Sequence, residues 1–360
     1  MTQHQTSSKR RAHSPAHKDA RADPAFDPEI INRAAAWTET DGDLQAVAPD
    51  VARPIRQSRF MTATIDAPRA ALWRDPDDID VIADINYAAR RDDDVRGHLL
   101  DIYLPHDAIV RAGHTTPVYI DIHGGGFCYG YKELNRNFNT HLAHEGFGVI
   151  SLNYRPAPQT DLRGQLADIQ QALGWIREHI SEYPLNPNAI FITGDSAGAA
   201  LALLTLAIEN DPAAAHAFGI GAASGLPIAG GALISGVYTL ARPHAGNSHR
   251  RTIRAMLEQT LGASFFAGLD EAAPYLTPES VVRSVNLPAL LLNTSSDDFV
   301  QTETLALATA LAHADADFEI HDWKTGRLQT LGHVFPVCMT WLEESQRVLQ
   351  QMKAFAYARV

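Results

Sequence analysis

The stretch Ala189-Ile190-Phe191-Ile192-Thr193-Gly194-Asp195-Ser196-Ala197-Gly198-Ala199-Ala200-Leu201 joins two apolar runs through a serine flanked by glycines. The first run is short and rich in strand formers, and the second is a longer run of small and apolar residues that is typical of a buried helix. Glycine lacks Cβ, so Gly194 and Gly198 allow a strand and a helix to meet in a tight turn. The stretch therefore predicts a buried strand, a sharp turn that presents Ser196, and a buried helix.

Ser196 is a candidate nucleophile because of this position. A G-x-S-x-G turn between strand and helix exposes the serine hydroxyl, and the N-terminus of the following helix favours negative charge on a bound substrate. Acyl transfer by serine also needs a base, an acid that orients the base, and hydrogen-bond donors for the oxyanion. The remaining sequence offers a candidate for each of these roles.

The predicted oxyanion donors are main-chain N–H groups. The run His123-Gly124-Gly125-Gly126-Phe127 directly follows the apolar strand at 118–122. A glycine loop after a strand brings the backbone close to a bound substrate. We expect the N–H groups of Gly124, Gly125 or Gly126, together with that of Ala197, to bind the oxyanion.

The acid and the base are predicted in two later loops. Asp297 and Asp298 follow an apolar strand at 289–293, and Asp298 is the favoured of the two. The alternative, Asp297, stays open, and the other carboxylate is expected to be solvated or to cap the loop. His333 lies beyond the last strand, which gives the order serine, acid, histidine. His321 is excluded as the base because it lies inside a strand.

Three further polar residues have simpler interpretations. His141 and His144 lie three positions apart on a helix, but the sequence places no third metal ligand nearby, so we expect a solvated face rather than a metal site. Asp195 precedes the nucleophile and points elsewhere if Ser196 points out of the turn. It is expected to tie the turn to neighbouring loops.

Strands and helices alternate along most of the chain, which predicts an α/β fold with a parallel sheet covered on both faces. Strands are predicted at 84–90, 99–104, 118–122, 148–154, 189–193, 232–235, 289–293 and 318–321, and further helices at 134–145, 166–180, 302–313 and 334–355. Residues 1–25 are polar and basic and predict a disordered tail. Residues 26–75 predict the N-terminal part of a helical cap, and 76–360 a catalytic domain with a lid inserted at about 237–285.

Composition narrows the classes of function. The 360 residues are 45% hydrophobic and 20% charged, with a formal net charge of −12, which argues against nucleic acid or an anionic membrane as a partner. Two cysteines, Cys128 and Cys338, do not make a disulfide framework and favour a reducing cytoplasm. The sequence lacks a run of about 20 apolar residues and an N-terminal apolar h-region, so we expect neither stable membrane insertion nor secretion. A homo-oligomer stays open.

With these motifs in place, the sequence resembles the hormone-sensitive-lipase-like esterases of the α/β-hydrolases. The matching residues, spread over 100–335, are Asp101–Pro105, His123–Phe127, Asn153–Pro158, Gly194–Gly198, Asp298 and His333. The resemblance implies a mostly parallel eight-stranded sheet with a helical cap, and ester hydrolysis without cofactor or metal. It also implies that His123 shapes its loop rather than reacts. The sequence departs from the family at Pro156 and Gln159, where such esterases usually carry leucine and glutamate, and at Ala199, where a third glycine is common.

The expected function is hydrolysis of short- to medium-chain or aryl carboxylic esters through an acyl-enzyme. Two alternatives stay open: an aryl-formamidase or other amidase that uses the same triad, and a ligand-binding protein without catalysis on a hydrolase scaffold. Phe127, Tyr129 and Tyr131 are candidates for the pocket mouth, although aromatic residues beside a glycine loop are as often plain packing.

Overall fold

One eight-stranded sheet organises the computed structural model, which describes residues 37, 42–88, 96–110, 115–242, 252–326 and 328–360. The predicted tail at 1–25 lies outside the described residues. The strands are β1 Ile79–Asn86, β2 Leu99–Pro105, β3 Thr116–Ile122, β4 Gly148–Leu152, β5 Leu185–Asp195, β6 Ile228–Ile234, β7 Ala289–Ser295 and β8 Phe318–Trp323. Their order in the sheet is β1-β2-β4-β3-β5-β6-β7-β8.

The sheet is mostly parallel, as the sequence predicts. Only the β1–β2 and β2–β4 pairs are antiparallel, and all pairs from β4 to β8 are parallel. After β3 the chain first forms β4 on one side of β3 and then crosses to form β5 on the other side. Loops that leave the carboxyl ends of strands on either side of such a reversal form a crevice where α/β proteins bind ligands.

Helices cover both faces of the sheet. They are α1 Pro49–Ala70, α2 His106–Val110, α3 Arg136–His144, α4 Leu162–His179, α5 Ala197–Asn210, α6 Pro212–Ala217, α7 Ile253–Leu261, α8 Pro278–Ser284, α9 Gln301–His313, α10 Phe335–Cys338 and α11 Glu343–Tyr357. Alternate strand residues point to opposite faces. Ile120 and Ile192 accordingly join the core that contains α4 and α5, whereas Tyr119 and Phe191 join the core that contains α3 and α11.

Two predicted elements differ from those observed. The helix predicted at 334–355 is broken into α10 and α11, because the buried Thr340 hydroxyl donates to Asn137 on α3 and the Gln346 side chain donates to the Thr340 carbonyl at 2.7 Å. The strand predicted at 84–90 instead pairs over Ile79–Asn86. The backbone leaves this strand at Tyr87, whose hydroxyl donates to the Asn153 carbonyl at 2.7 Å.

Helix α1 is fixed to the body of the molecule by a few polar side chains. The buried Arg59 donates from Nε to the Cys128 carbonyl at 2.6 Å and from Nη2 to the Ala157 carbonyl at 2.8 Å. Just beyond the helix, Trp73 Nε1 donates to the Cys338 carbonyl at 3.1 Å. Helix α1 also contacts α7. The division of the chain into cap and catalytic domain remains a prediction.

In the described part of the chain, none of the helices is long and apolar enough to cross a membrane.

Candidate active site

Ser196 occupies the turn between β5 and α5. Its backbone has φ 52° and ψ −116°, a left-handed conformation that is rare for residues other than glycine, and its N–H donates to the Ile234 carbonyl at 2.9 Å. The flanking glycines are sterically required. A Cβ on Gly198 would lie 1.9 Å from the Ile122 carbonyl oxygen, and one on Gly194 would lie 2.7 Å from the Gly198 backbone. The turn therefore has the geometry that the sequence predicts.

The structure brings Ser196, His333 and Asp298 into one hydrogen-bonded chain. His333 Nε2 lies 2.9 Å from Ser196 Oγ, and His333 Nδ1 lies 2.9 Å from Asp298 Oδ1. An Nδ1–H that donates to the carboxylate leaves Nε2 as an acceptor for the serine hydroxyl. The Asp298 side chain is inaccessible to solvent and also accepts the Val300 N–H at 3.0 Å. The histidine can therefore take the serine proton.

Asp297, the alternative acid, has a different task. Its carboxylate accepts the N–H groups of Leu331 and Gly332 at 3.0 and 3.1 Å and the Ser295 hydroxyl at 2.8 Å. Burial opposes ionisation, but these donors prevail and lower the pKa of Asp297. Asp297 therefore holds the loop that carries His333, whereas Asp298 contacts the imidazole.

The predicted oxyanion donors differ in whether another group of the protein already accepts their N–H. The Gly124 N–H donates to Asp195 Oδ1 at 2.9 Å, so it is already committed. Within the described residues, no acceptor takes the N–H of Gly125 or Gly126, and both residues have positive φ, 105° and 59°. Ala197 begins α5, where an N–H has no partner within the helix. Gly125, Gly126 and Ala197 thus remain as candidate donors.

A buried polar network supports this loop from below. Asn135 Nδ2 donates to Asp195 Oδ1 at 2.9 Å and to Asp121 Oδ1 at 3.1 Å. Asp121 also accepts from Asn139 at 2.8 Å and from Ser151 at 2.9 Å. Burial raises the pKa of Asp195 and raises that of Asp121 to about 7. Asp195 therefore ties the turn to its neighbours, as expected.

Asn135 and Asp121 were not among the sequence candidates. A signal existed for Asp121, since it interrupts the apolar run Val118–Ile122 in a strand that is buried along its whole length. A buried carboxylate needs hydrogen-bonding partners, so that position predicts a polar network beside β3. No comparable signal marks Asn135.

His123 contacts the backbone of its own loop and a neighbouring aromatic ring. Its Nδ1–H donates to the Gly124 carbonyl at 2.8 Å, and its ring stacks on Tyr154 with 4.3 Å between centroids. The Tyr154 hydroxyl in turn donates to the His123 carbonyl at 2.9 Å. Burial lowers the pKa of His123 to about 4, so the ring is neutral at neutral pH. These contacts agree with a role in shaping the loop.

The other histidines take ordinary partners. His141 Nε2 contacts the Arg74 carbonyl at 3.0 Å, and His144 Nδ1 contacts the Asp78 carboxylate at 2.8 Å, both at the surface. His321 on β8 bonds to Gln351. The described residues include no group of three or more His, Cys, Asp or Glu side chains that could hold a metal ion.

A cavity of about 690 Å³ opens above Ser196. Its floor consists of the Ser196 turn, the glycine loop and the His333 loop, and its roof of α1 and α7. Tyr129 lines it, but Phe127 and Tyr131 do not and are fully buried in packing. The lining residues are Pro54, Gln57, Ser58, Met61, Thr62, Ile65, Asp66, Arg69, Trp73, Gly125, Gly126, Tyr129, Leu134, Asn135, Asp195, Ser196, Met256, Gln259, Thr260, Phe299, His333, Val334, Val337 and Cys338.

The sheet order, the strained serine turn and the hydrogen-bonded serine, histidine and aspartate define an α/β-hydrolase. Comparison with protein families narrows this class. The BD-FAE family model matches residues 100–311, more than half of the chain, and the protein therefore belongs to the BD-FAE family.

Several curated proteins similar to this chain carry esterase names. It is 31% identical to Esterase LipQ of Mycobacterium tuberculosis over 226 residues, which are 61% of this chain and 51% of LipQ. It is 27% identical over 243 residues to a probable isoprenylcysteine alpha-carbonyl methylesterase of Oryza sativa, with 63% of this chain and 54% of the relative covered. The chain thus spans about half the length of these relatives.

Solved esterase structures share the fold. Esterase B from Lactobacillus rhamnosis has a TM-score of 0.74 and 27% identity, with 88% of this chain and 96% of that chain covered. An esterase of the bacterial hormone-sensitive lipase family has a TM-score of 0.58 and 20% identity, with 87% and 99% covered. The resemblance to that group is confirmed at the level of the fold.

Proposed function

We propose that this protein hydrolyses carboxylic esters, with Ser196 as nucleophile, His333 as general base and acid, and Asp298 as the group that orients His333. The observation that carries the proposal is the continuous chain of two 2.9 Å contacts from Asp298 through His333 to Ser196 at the bottom of a cavity. The esterase names of the relatives support the same reaction class. Inhibited structures exist for Esterase B, one of them with a C4-C4 SN3 tributyrin phosphonate.

In the first half of the reaction, Ser196 Oγ attacks the ester carbonyl carbon while its proton moves to His333 Nε2. The carbonyl oxygen becomes an oxyanion, and we expect the N–H groups of Gly125, Gly126 and Ala197 to bind it. Asp298 stabilises the imidazolium that forms. The intermediate collapses as the carbon–oxygen bond to the alcohol breaks, and His333 returns its proton to the departing alcohol.

In the second half, water attacks the carbonyl carbon of the acyl-enzyme. His333 takes one proton from this water, and a second oxyanion forms at the same donors. The bond from carbon to Ser196 Oγ then breaks, the serine recovers its proton from His333, and the carboxylic acid leaves. Every proton in the cycle passes through one imidazole nitrogen, so no cofactor is required.

The cavity supports esters of intermediate size. Its volume of about 690 Å³ exceeds the needs of an acetyl group, and its roof presents Met61, Ile65 and Met256. Such side chains suit an acyl chain or an aryl group better than a polar one. We propose short- to medium-chain or aryl esters as substrates.

The test compares Ser196→Ala with wild type on p-nitrophenyl esters of graded acyl length. Loss of the nucleophile should lower kcat by about 10⁴- to 10⁶-fold. Ser58→Ala is the matched control, since Ser58 also lines the cavity but does not contact His333. A fluorophosphonate probe should label wild type and Ser58→Ala and should not label Ser196→Ala. Near-normal turnover by Ser196→Ala would remove Ser196 from the mechanism.

A further inference from the structure

Two charged side chains lie in the roof of the cavity, above the reacting groups. Asp66 and Arg69 are three residues apart on α1, and both line the cavity. The other acidic and basic lining residues, Asp195 and His333, belong to the floor. The roof therefore adds a charged pair to a surface that otherwise consists of apolar and neutral polar side chains.

Asp66 already has partners within the protein. Its carboxylate shares a hydrogen bond with the Tyr129 hydroxyl, which also accepts the Trp37 indole N–H at 3.0 Å. Tyr129 is fixed in turn, because its N–H donates to the Gly125 carbonyl at 3.0 Å. Asp66 thus belongs to a chain of hydrogen bonds that joins the roof to the glycine loop.

Arg69 has no comparable set of partners. Its nearest carboxylate oxygen is Asp66 Oδ1, 3.9 Å from Nη1, which is beyond hydrogen-bond distance. Within the residues that the structure describes, no acceptor takes a hydrogen bond from the guanidinium, although this group carries five N–H donors. Its side chain is only 28% exposed. A cation that is largely withdrawn from water and lines a substrate cavity is placed to receive an acceptor from the substrate.

We propose that Arg69 selects esters that carry one free carboxylate in addition to the ester group. The planar fork of a guanidinium matches the two oxygens of a carboxylate, and charged hydrogen bonds of this kind are stronger than neutral ones. Asp66 lies beside Arg69 and repels a dianion more than a monoanion, which disfavours a phosphate monoester. This inference rests on the proposed esterase function, because it names the substrate class of that site.

Two isosteric substrate pairs test the proposal and locate the carboxylate. Monoethyl adipate against ethyl isooctanoate places the charge on the acid side, and ω-butyryloxyhexanoate against isooctyl butyrate places it on the alcohol side. Wild type should show a kcat/KM at least tenfold higher for the charged member of one pair. Arg69→Gln should lower kcat/KM for that ester by about 10- to 100-fold and change the neutral isostere by less than about threefold.

Two further variants serve as controls. Arg56→Gln removes an exposed arginine on the same helix that does not line the cavity, and it should keep the wild-type preference. Arg69→Lys keeps the charge but loses the fork, and it should have an intermediate preference. Thermal unfolding of each variant checks that the fold is retained.

Failure of this inference is distinguishable from failure of the proposed function. Hydrolysis of the neutral esters with no preference for a charged one, or a preference that Arg69→Gln retains, would overturn the role of Arg69 and leave the esterase proposal standing. If wild type hydrolyses none of the esters, the proposed function fails. Calorimetric titration with monoethyl adipate and with ω-butyryloxyhexanoate then tests Arg69 separately. The ester that wild type binds must bind at least tenfold more weakly to Arg69→Gln but not to Arg56→Gln, and absence of binding to wild type would overturn the role of Arg69.

Discussion

The floor and the roof of the cavity are built in different ways. Asp195 in the floor, and Asp297 and Asp298, which hold the His333 loop of the floor, each accept main-chain N–H groups, so their positions follow from the path of the backbone. The roof has few such bonds and rests on anchors such as Arg59. It also leaves apolar side chains open to solvent, with Met61 58% exposed. The floor is suited to fixed chemistry, and the roof is suited to substrate selection.

The largest expected effect concerns the floor. Asp298→Asn should lower kcat by about 10⁴-fold, because an amide cannot stabilise the imidazolium and favours the wrong histidine tautomer. Steady-state kinetics on one p-nitrophenyl ester measures this loss. Asp297→Asn is the control, since Asp297 holds the loop at Leu331 and Gly332 without contacting the imidazole. Asp297→Asn should lower the thermal midpoint and leave kcat much closer to the wild-type value than Asp298→Asn does. Equal losses of kcat in the two variants would contradict the assignment of Asp298 as the residue that orients His333.

The glycine loop gives the next effect. Gly125→Ala should lower kcat by about 10²- to 10³-fold, since its Cβ would lie 1.9 Å from the Tyr129 carbonyl oxygen and would displace the proposed oxyanion donors. Gly126→Ala is the matched control, because its Cβ would meet no atom within 4 Å and only the cost of a left-handed alanine, about 1 kcal/mol, remains. Kinetics at saturating ester should separate the two. Similar losses would mean that both positions are limited by backbone conformation rather than by space.

Polar substitutions in the roof should have a smaller effect, and one of a different kind. Met61→Gln and Ile65→Gln should each raise KM for a medium-chain ester by about three- to tenfold and leave kcat within about twofold, because they remove apolar contact with the substrate and not with the reacting atoms. Phe60→Gln changes a neighbouring side chain that is 65% exposed and does not line the cavity. It should leave both constants unchanged. A fall in kcat for Met61→Gln would show that the roof also positions the reaction.

The smallest effect is a pH dependence of stability at Asp66. Burial raises the pKa of Asp66 to about 6, against partial compensation by Arg69. The folded protein then binds the proton more tightly than the unfolded chain, so this carboxyl lowers stability as pH rises from about 4 to 6. Asp66→Asn should therefore gain a few degrees in thermal midpoint over wild type at pH 7 and little at pH 4. Asp50→Asn, at an exposed site on the same helix, should keep the wild-type slope.

Some parts of the fold were predictable from the sequence, and others were not. The Ser196 turn was predictable because close packing excludes a Cβ at Gly194 and Gly198, so the two required glycines stand on either side of the serine and appear as a motif. The parallel sheet was predictable because strands buried on both faces become continuous apolar runs such as Ala189–Thr193. The break between α10 and α11 was not, since it depends on a bond from Thr340 to the distant Asn137.

Within the site, the sequence by itself determined which residue types were available: one serine in a strained turn, one glycine loop, two adjacent aspartates and a late histidine. Tertiary structure alone decided that Asp298 contacts His333, that Asp195 occupies the N–H of Gly124, and that Asn135 joins Asp195 to Asp121. Tertiary structure also placed Asp66 and Arg69 in the same cavity as Ser196. The physical reason is range: local sterics leave a signature in neighbouring residues, whereas a hydrogen bond between distant segments depends on how the whole chain packs.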